Sequence, residues 1–184
     1  MNERFAVFDV ETPNFNNDRI SAIGLCMVED GKITEEKYYL CNPETYFSRF
    51  NIELTGITPG MVQDQKCFSE LWNELYPCFD GSILIAHNAP FDMGVLSKCC
   101  RDYSVQDLRY IPYACTVRMS KRAFPQLPNH KLNTVSDYLG IDLHHHRADS
   151  DAYACARILI SCMEKGVDVT PFVNVYDIKS GRKL

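Results

Sequence analysis

The sequence lacks the long apolar runs and the paired-cysteine spacings that mark membrane proteins and disulfide or zinc scaffolds. No stretch approaches the ~20 consecutive apolar residues of a membrane-spanning helix. Nine cysteines are present, but none forms a C-x-x-C pair. An odd number without framework spacing, and an N-terminus without a signal peptide, predict free thiols in a reducing compartment. We therefore expect a cytoplasmic protein that does not associate with a membrane.

Positive charge is also scarce. The chain has 19 Lys and Arg residues against 24 Asp and Glu residues, which gives a formal net charge of −5. This balance argues against non-specific phosphate binding by a basic surface. It does not exclude a nucleic-acid substrate, because a metal-centred site needs local acids, and the cations that they hold would face the phosphate.

The remaining composition is that of a globular protein. The 184 residues are 46% hydrophobic and 23% charged, without an internal repeat or a low-complexity tract. We predict one domain over residues 1–166 and a C-terminal tail over residues 167–184, whose packing the pattern does not indicate.

Hydrophobic periodicity predicts alternating strands and helices. Predicted strands begin at residue 5 and span 20–28, 32–41, 83–86 and 110–115. Predicted helices span 68–79, 116–122, 132–139 and 149–165, and one more begins at Pro90. An Asp-Gly turn between the second and third strands indicates an antiparallel hairpin. The later strand–turn–helix pattern is typical of α/β proteins, so we expect a mixed sheet flanked by helices.

The first candidate site is a pair of acids in the opening strand. Residues 5, 7, 9 and 11 of a strand point to one face, which places Asp9 and Glu11 roughly 7 Å apart along the backbone. Two adjacent buried carboxylates repel each other, and a divalent cation between them removes that cost. The alternative is that both side chains face water at the end of the strand.

A third acid, Asp92, follows the buried strand 83–86 and falls in the first turn of the next helix. A carboxylate there interacts well with the helix dipole, which is a sufficient structural explanation. The functional alternative is that the strand delivers Asp92 to the sheet edge where ligand sites gather. His87, at the same strand end, is predicted to be hydrogen-bonded rather than catalytic.

The last candidate group surrounds the start of the final long helix. Residues 149–150 can cap this helix, while Asp151 is a further acid in the same turn. His146 lies five residues before Asp151, and a histidine beside clustered carboxylates suggests a general base. The adjacent His144 and His145 are interpreted as solvated loop residues.

Three stretches, in this order, resemble the exonuclease motifs of the DEDDh 3′→5′ exonucleases, a ribonuclease-H-like family that includes the proofreading epsilon subunit of bacterial DNA polymerase. They are Phe8-Asp9-Val10-Glu11-Thr12, His87-Asn88-Ala89-Pro90-Phe91-Asp92 and His146-Arg147-Ala148-Asp149-Ser150-Asp151. The resemblance covers about residues 4–165, and weaker similarity occurs at residues 54–59 and 129–134. Three spaced motifs are far more specific than any one of them.

The resemblance implies a ribonuclease-H-like three-layer α/β fold with a mixed five-stranded sheet, in which three opening strands pair antiparallel and two parallel strands follow. It implies that Asp9, Glu11 and Asp151 bind two divalent ions, Mg²⁺ or Mn²⁺, ~4 Å apart. Asp9 would bridge the ions, and Asp92 would support one of them through water. His146 would be the general base.

The sequence departs from the family pattern directly after the first motif. Many members continue as Glu-Thr-Thr-Gly, whereas residues 11–14 here are Glu-Thr-Pro-Asn. This loop lies near the 3′-terminal nucleotide in the family, so the departure concerns recognition of the 3′ end rather than metal binding. Thr12, Asn88 and Phe91 are the candidate substrate contacts.

The function that the resemblance implies is hydrolysis of terminal phosphodiesters of single-stranded or frayed DNA, with release of nucleoside 5′-monophosphates. The first alternative is an exoribonuclease or oligoribonuclease, because sequence does not show the 2′-hydroxyl environment. The second is a polymerase-associated proofreading module, with a DNA polymerase as partner. The third is a nucleic-acid-binding module without catalysis. The sequence gives no indication of oligomeric state.

Five basic or histidine side chains between the second and third motifs could contact nucleic acid. Arg118, Lys121 and Arg122 share one face of their predicted helix, and His130-Lys131 lies in a loop that could meet a phosphate. The alternative is that both groups are simply solvated.

Overall fold

A computed structural model describes residues 3–105 and 107–184. Residues 1, 2 and 106 of the predicted domain 1–166 lie outside the described residues. The strands, in chain order, are β1 (Arg4–Glu11), β2 (Ala22–Glu29), β3 (Lys32–Leu40), β4 (Ile83–Ala86), β5 (Tyr110–Cys115), β6 (Asn174–Asp177) and β7 (Arg182–Lys183).

Seven α-helices and one 3₁₀ helix connect these strands in the described part of the chain. They are α1 (Arg49–Thr55), α2 (Pro59–Val62), α3 (Phe68–Phe79), α4 (Pro90–Asp102), α5 (Thr116–Ala123), α6 (Leu132–Leu139), α7 (Ala148–Glu164) and the 3₁₀ helix Thr170–Phe172. None of these helices has the length and apolar character needed to cross a bilayer.

The strands form one mixed sheet in the order β3-β2-β1-β4-β5-β6-β7. The first three strands pair antiparallel, and β1–β4 and β4–β5 pair parallel, as predicted. The predicted count of five strands was wrong, because β6 pairs antiparallel with β5 and β7 pairs with β6. These strands have four and two residues, too few to produce a period-two pattern. The division of the chain at residue 166 stays a prediction.

Side-chain alternation along β1 separates the two sides of the sheet. Phe5 and Val7 pack in the core that contains α7, α5 and α6. Ala6, Phe8 and Val10 pack in the core that contains α3 and α4. The sheet therefore lies between two helical layers, and the predicted three-layer α/β fold is confirmed.

Candidate active site

Asp9 and Glu11 lie near the carboxyl end of β1. They continue the alternation of Phe5 and Val7, so both carboxylates point to the side of the sheet that α7 covers. Glu11 is 8% exposed, while Asp9 is partly exposed and lines a cleft. The two acids of the first motif therefore share a face, as predicted, and the interpretation that both face water at a strand end does not apply to Glu11.

The first turn of α7 brings a third carboxylate to this pair. Asp151 is 4% exposed, and one oxygen each of Asp9, Glu11 and Asp151 lies within 4.8 Å of the other two. The helix begins at Ala148, one residue earlier than predicted, so residues 149–150 lie inside its first turn and do not cap it.

Gly24 of β2 makes the approach of α7 possible. It pairs with Asp9 in the sheet, and a Cβ atom at this position would lie 1.9 Å from the carbonyl oxygen of Ala148. Only a residue without a side chain lets the start of α7 lie directly on the sheet here. Gly24 was not predicted from sequence as part of the site, although an isolated glycine inside a strand pattern is a signal for close backbone approach.

Asp92 lies beside the three-carboxylate group but is held separately. Its Oδ1 accepts a hydrogen bond from the backbone N–H of Val10 at 3.3 Å, and the residue is 2% exposed. Val10 lies between Asp9 and Glu11, so this bond fixes the start of α4 against the first motif. Ala89 occupies the N-cap position of α4, so the side chain of Asn88, the residue before it, does not cap the helix.

Burial and mutual repulsion disfavour ionisation of these carboxyls. Burial, followed by the charges of Asp92, Asp151 and Glu11, raises the pKa of Asp9 well above its usual range. Burial, followed by Asp151 and Asp92, raises the pKa of Glu11 to about 8. The pKa of Asp92 is also raised to about 8, chiefly by burial. Without a cation, the cluster therefore binds protons at neutral pH.

The donor set fits a divalent cation. Oδ1 of Asp151 is buried and has no hydrogen-bond partner among the described residues. An orphaned, buried carboxylate oxygen is costly unless something positive binds it. Clustered carboxylate oxygens are the ligands that Mg²⁺ and Mn²⁺ prefer. Asp9, Glu11 and Asp151 could therefore hold such an ion directly.

We expect the metal-free protein to lose stability as the pH rises from about 4.5 to about 8. The pKa of Glu11 is about 8 when folded, against about 4.5 when unfolded. Between these values the folded state binds more protons, so its stability falls by ~1.4 kcal/mol per pH unit for each such group. Thermal denaturation in chelator should give a falling Tm, and saturating Mn²⁺ should remove the fall. A flat profile in chelator would contradict the repulsion.

His146 stands at a sharp turn before α7. Its backbone is left-handed, with φ of 69°, and its N–H donates to Oδ2 of Asp151 at 3.1 Å. A ring nitrogen of His146 lies within 4.8 Å of an Asp151 oxygen. Partial burial, followed by the neighbouring His145, lowers the pKa of His146 below its usual range, although Asp151 opposes this effect.

His145 is an exposed loop residue, as predicted, but its ring also contacts the candidate site. Its Nδ1 lies 3.0 Å from Oδ2 of Asp151, and its ring stacks on His146 with centroids 4.0 Å apart. The left-handed turn at His146 folds the loop back over the start of α7, which the sequence pattern does not reveal. His144 remains exposed, and its N–H donates to Oγ of Ser150 at 2.8 Å.

The three predicted substrate contacts occupy different environments. Asn88 is exposed, has a left-handed backbone and lines the cleft beside Asp9. Thr12 is buried, and its hydroxyl lies 3.0 Å from Oδ1 of Asn17. Phe91 exposes 41% of its surface at the start of α4. Only Asn88 of these three lines the cleft within the described residues.

The departure after the first motif builds an ordered loop. Asn14 is fully buried, and its Nδ2 donates to the carbonyl oxygen of Tyr46 at 2.8 Å. The carbonyl oxygen of Pro13 accepts from the N–H of Ser48 at 2.9 Å. These bonds tie the loop to the residues before α1, and they leave Phe15 66% exposed.

The cleft beside the carboxylates has a volume of about 1030 Å³ and is lined in part by Asp9, Asp151 and His87. Both ring nitrogens of His87 are hydrogen-bonded, as predicted. Nε2 lies 2.9 Å from the carbonyl oxygen of His130, and Nδ1 lies 2.9 Å from Oγ1 of Thr116. A carbonyl oxygen can only accept, so Nε2 carries the proton. Burial lowers the pKa of His87 to about 4, which keeps the ring neutral.

Comparison with protein families and curated sequences identifies relatives. The family model described as Exonuclease, of the RNase T type, matches residues 6–159. A DNA polymerase III PolC-type from Clostridium perfringens is 34% identical over 181 residues, which are 97% of this chain and 12% of the relative. The 3′-5′ exonuclease DinG from Bacillus subtilis is 34% identical over 169 residues, which are 89% of this chain and 18% of the relative. The chain thus spans less than a fifth of these curated relatives.

Solved structures share the fold at lower sequence identity. Exonuclease X in complex with 5′ overhanging duplex DNA has a TM-score of 0.72 and 23% identity, and covers 92% of this chain and 96% of its own. A 3′-exonuclease bound to a histone mRNA stem-loop has a TM-score of 0.76 and 18% identity, and covers 100% of this chain and 90% of its own. At these identities the likeness is one of fold.

Proposed function

Because the chain belongs to the exonuclease family whose model spans residues 6–159, we propose that it removes nucleotides from the 3′ ends of DNA by metal-dependent hydrolysis of the terminal phosphodiester. The product would be a nucleoside 5′-monophosphate. The observation that carries the proposal is the convergence of oxygens from Asp9, Glu11 and Asp151 within 4.8 Å, with a ring nitrogen of His146 equally close to Asp151.

The curated sequence relatives favour DNA as the substrate class in this proposal. Two of them, at 34% identity, are a DNA polymerase III PolC-type and a 3′-5′ exonuclease. Of the two fold neighbours described above, one was solved with DNA and the other with an mRNA stem-loop, so the fold does not separate the two substrate classes. The same relatives make a DNA polymerase the candidate partner. We keep a cytoplasmic location as a prediction that rests on nine unpaired cysteines.

The four acids have two roles in this proposal. Asp9, Glu11 and Asp151 would hold two Mg²⁺ or Mn²⁺ ions, and Asp92 would support one of them through water. Divalent ions in such a site lower the pKa of a bound water and stabilise the leaving 3′-oxygen. The carboxylates supply the negative charge that keeps these ions in place, and the Val10 N–H keeps Asp92 oriented.

His146 would accept the proton of the attacking water. Its lowered pKa keeps the imidazole neutral near pH 7, so that a ring nitrogen has a free lone pair. The hydrogen bond from its N–H to Asp151 and the stacking of its ring on His145 restrict its position. His146 is therefore held at the edge of the carboxylate cluster, where a general base is needed.

Thr12, Asn88 and Phe91 would contact the terminal nucleotide. Asn88 presents an amide to the cleft, and Phe91 exposes an aromatic ring on which a base could stack. Thr12 is the least accessible of the three, at 6% exposed, and its carbonyl oxygen accepts a hydrogen bond from the side-chain amide of Asn51 at 2.8 Å. We expect Thr12 to act by shaping the loop through its backbone rather than by a side-chain contact alone.

The proposal is tested with 5′-labelled single-stranded DNA and RNA of the same sequence in Mg²⁺ or Mn²⁺. A ladder of products shortened from the 3′ end, together with free 5′-monophosphates, is the expected result with DNA, and chelator should abolish it. Faster shortening of the RNA would favour the exoribonuclease alternative. Binding of both strands without any release would favour the non-catalytic module.

We expect His146→Ala to lower kcat by ~10²–10⁴, because a general base contributes about that much. Binding of Mn²⁺, measured by calorimetry, should persist, since all four acids remain. His144→Ala is the matched control, because His144 is exposed and its side chain forms no bond to the carboxylates of the cluster. An unchanged rate and pH–rate profile for His146→Ala would remove His146 from the mechanism.

A further inference from the structure

The segment between the second and third motifs concentrates positive charge in an acidic protein. Residues 116–131 contain four basic residues, Arg118, Lys121, Arg122 and Lys131, and no Asp or Glu. This segment carries a formal charge of +4 in a chain whose net charge is −5. The positive charge is therefore concentrated in one segment, and its position relative to the carboxylates indicates whether it can contact a substrate at the candidate active site.

Two of these four residues face the candidate active site. Lys121, in the last turn of α5, and Lys131, directly before α6, line the same cleft as Asp9 and Asp151. The cleft, at about 1030 Å³, is much larger than a metal site alone requires. Its lining thus changes from acidic at the end of β1 to basic along α5 and the loop before α6.

Neither lysine is neutralised by the protein. Both are exposed, and within the described residues neither forms an ion pair, unlike Arg19 with Asp102 or Arg147 with Asp149. A lysine on a convex surface needs no partner, because water solvates it. Two unpaired lysines that line one cleft with a carboxylate cluster instead leave a positive potential directly beside the site that holds cations.

The backbone of the basic loop is fixed in place. Oδ1 of Asn129 accepts from the N–H of Lys131 at 3.1 Å, and His87 Nε2 bonds the carbonyl oxygen of His130 at 2.9 Å. His87 follows β4 directly, so this bond ties the loop to the sheet. The backbone of Lys131 is therefore ordered before a ligand binds, which lowers the entropic cost of binding there.

We propose that Lys121 and Lys131 form a phosphate track that binds the backbone of a polynucleotide beyond the scissile phosphodiester. The inference rests on the proposed function and extends it to substrate length. Carboxylates with their ions can neutralise only the phosphate at the reacting bond. The neighbouring phosphates of a longer strand need separate cations, and two lysines supply them without reading the base sequence.

The track is tested by the salt dependence of strand binding. A fluorescent single-stranded DNA oligonucleotide is titrated with the chain in a fixed, low Mg²⁺ concentration and ~50–200 mM KCl, in the His146→Ala background to slow hydrolysis. On a single strand, each phosphate that a lysine neutralises contributes about 0.7 to the steepness of log K against log[KCl]. Lys121→Gln and Lys131→Gln should each make the slope shallower by ~0.7, and the double variant by ~1.4.

Lys165→Gln is the matched control. Lys165 is exposed and follows the far end of α7, a helix of 17 residues and thus about 25 Å long, whereas Asp151 lies in its first turn. The substitution Lys165→Gln removes the same charge at a distant position, so the slope of this variant should equal that of the parent protein.

Inorganic phosphate is titrated in parallel, to separate a strand-binding track from a site for a single free phosphate.

The outcomes separate this inference from the proposed function. If the lysine variants leave the slope unchanged while the wild-type chain shortens DNA, the phosphate track is contradicted and the proposed exonuclease activity is supported. If the lysine variants make the slope shallower but the wild-type chain releases no nucleotide, the phosphate track is supported and the proposed exonuclease activity is contradicted. An equal loss of affinity for inorganic phosphate and for the strand, or a slope change equal to that of Lys165→Gln, also overturns the track.

Discussion

Asp9→Asn is expected to reduce nucleotide release by more than about 10⁴-fold, or ~5.5 kcal/mol, and at the same time to raise the Tm of the metal-free protein. The rate falls because the charges of the other three acids all act on Asp9, and the ions could not be held without it. The Tm rises because the substitution removes one of several mutually repelling carboxyls. Activity and metal-free stability should therefore change in opposite directions.

The opposite signs make this test specific to the site. A substitution that merely unfolds the protein lowers both quantities, so a lower metal-free Tm for Asp9→Asn would contradict the repulsion within the cluster. The matched control is Asp149→Asn. Asp149 lies in the same turn of α7 as Asp151, but it pairs with Arg147 at 2.8 Å and is absent from the three-oxygen group. Its removal should leave the rate within about twofold, since surface ion pairs contribute little.

Gly24→Ala is expected to lower the free energy of unfolding by at least about 2 kcal/mol and to reduce kcat by ~10²-fold. The added methyl group would meet the carbonyl oxygen of Ala148 at 1.9 Å, and neither backbone can yield without moving α7 or β2. A displaced α7 carries Asp151 away from Asp9, and a misplacement of about 1 Å costs roughly this much in rate. Denaturant unfolding and nucleotide release measure the two effects.

Gly94→Ala provides the comparison. Gly94 lies inside α4, and a Cβ atom there would meet nothing within 4 Å. Alanine is the better helix former, so this variant should gain up to about 1 kcal/mol and keep its activity. If Gly24→Ala behaved like Gly94→Ala, the close contact between α7 and the sheet would not be needed for the stability of the protein or for the geometry of the site.

The residues that could be predicted from sequence are those marked by a periodic or motif pattern in the adjacent residues of the chain. Asp9 and Glu11 follow from the period of two in a strand of eight residues. Three ordered motifs predicted membership of the exonuclease family, which the family model confirms, and the three-layer α/β fold, which the structure confirms. Asp92 and Asp151 could be proposed because each lies in the first turn of a helix with a clear apolar face.

The features that could not be predicted depend on contacts between distant segments. His145 reaches Asp151 where the backbone at His146 is left-handed, a conformation that is uncommon outside glycine and that no local pattern here indicates. An isolated glycine in a strand signals a close backbone approach at Gly24, but the sequence of β2 does not show that the approaching segment is the start of α7. The pairing of β6 with β5 joins residues more than 60 positions apart, and β6 alone has four residues.

The position of β6 has a consequence for self-association. It occupies the side of β5 that faces away from β4, so it covers backbone groups that would otherwise be open to another strand. A shortened chain that ended at residue 166 would retain every acid and histidine of the site. It would also present β5 as a bare edge on which a second molecule could build. The segment after α7 thus protects the molecule against edge-to-edge aggregation, although it contributes no side chain to the cleft.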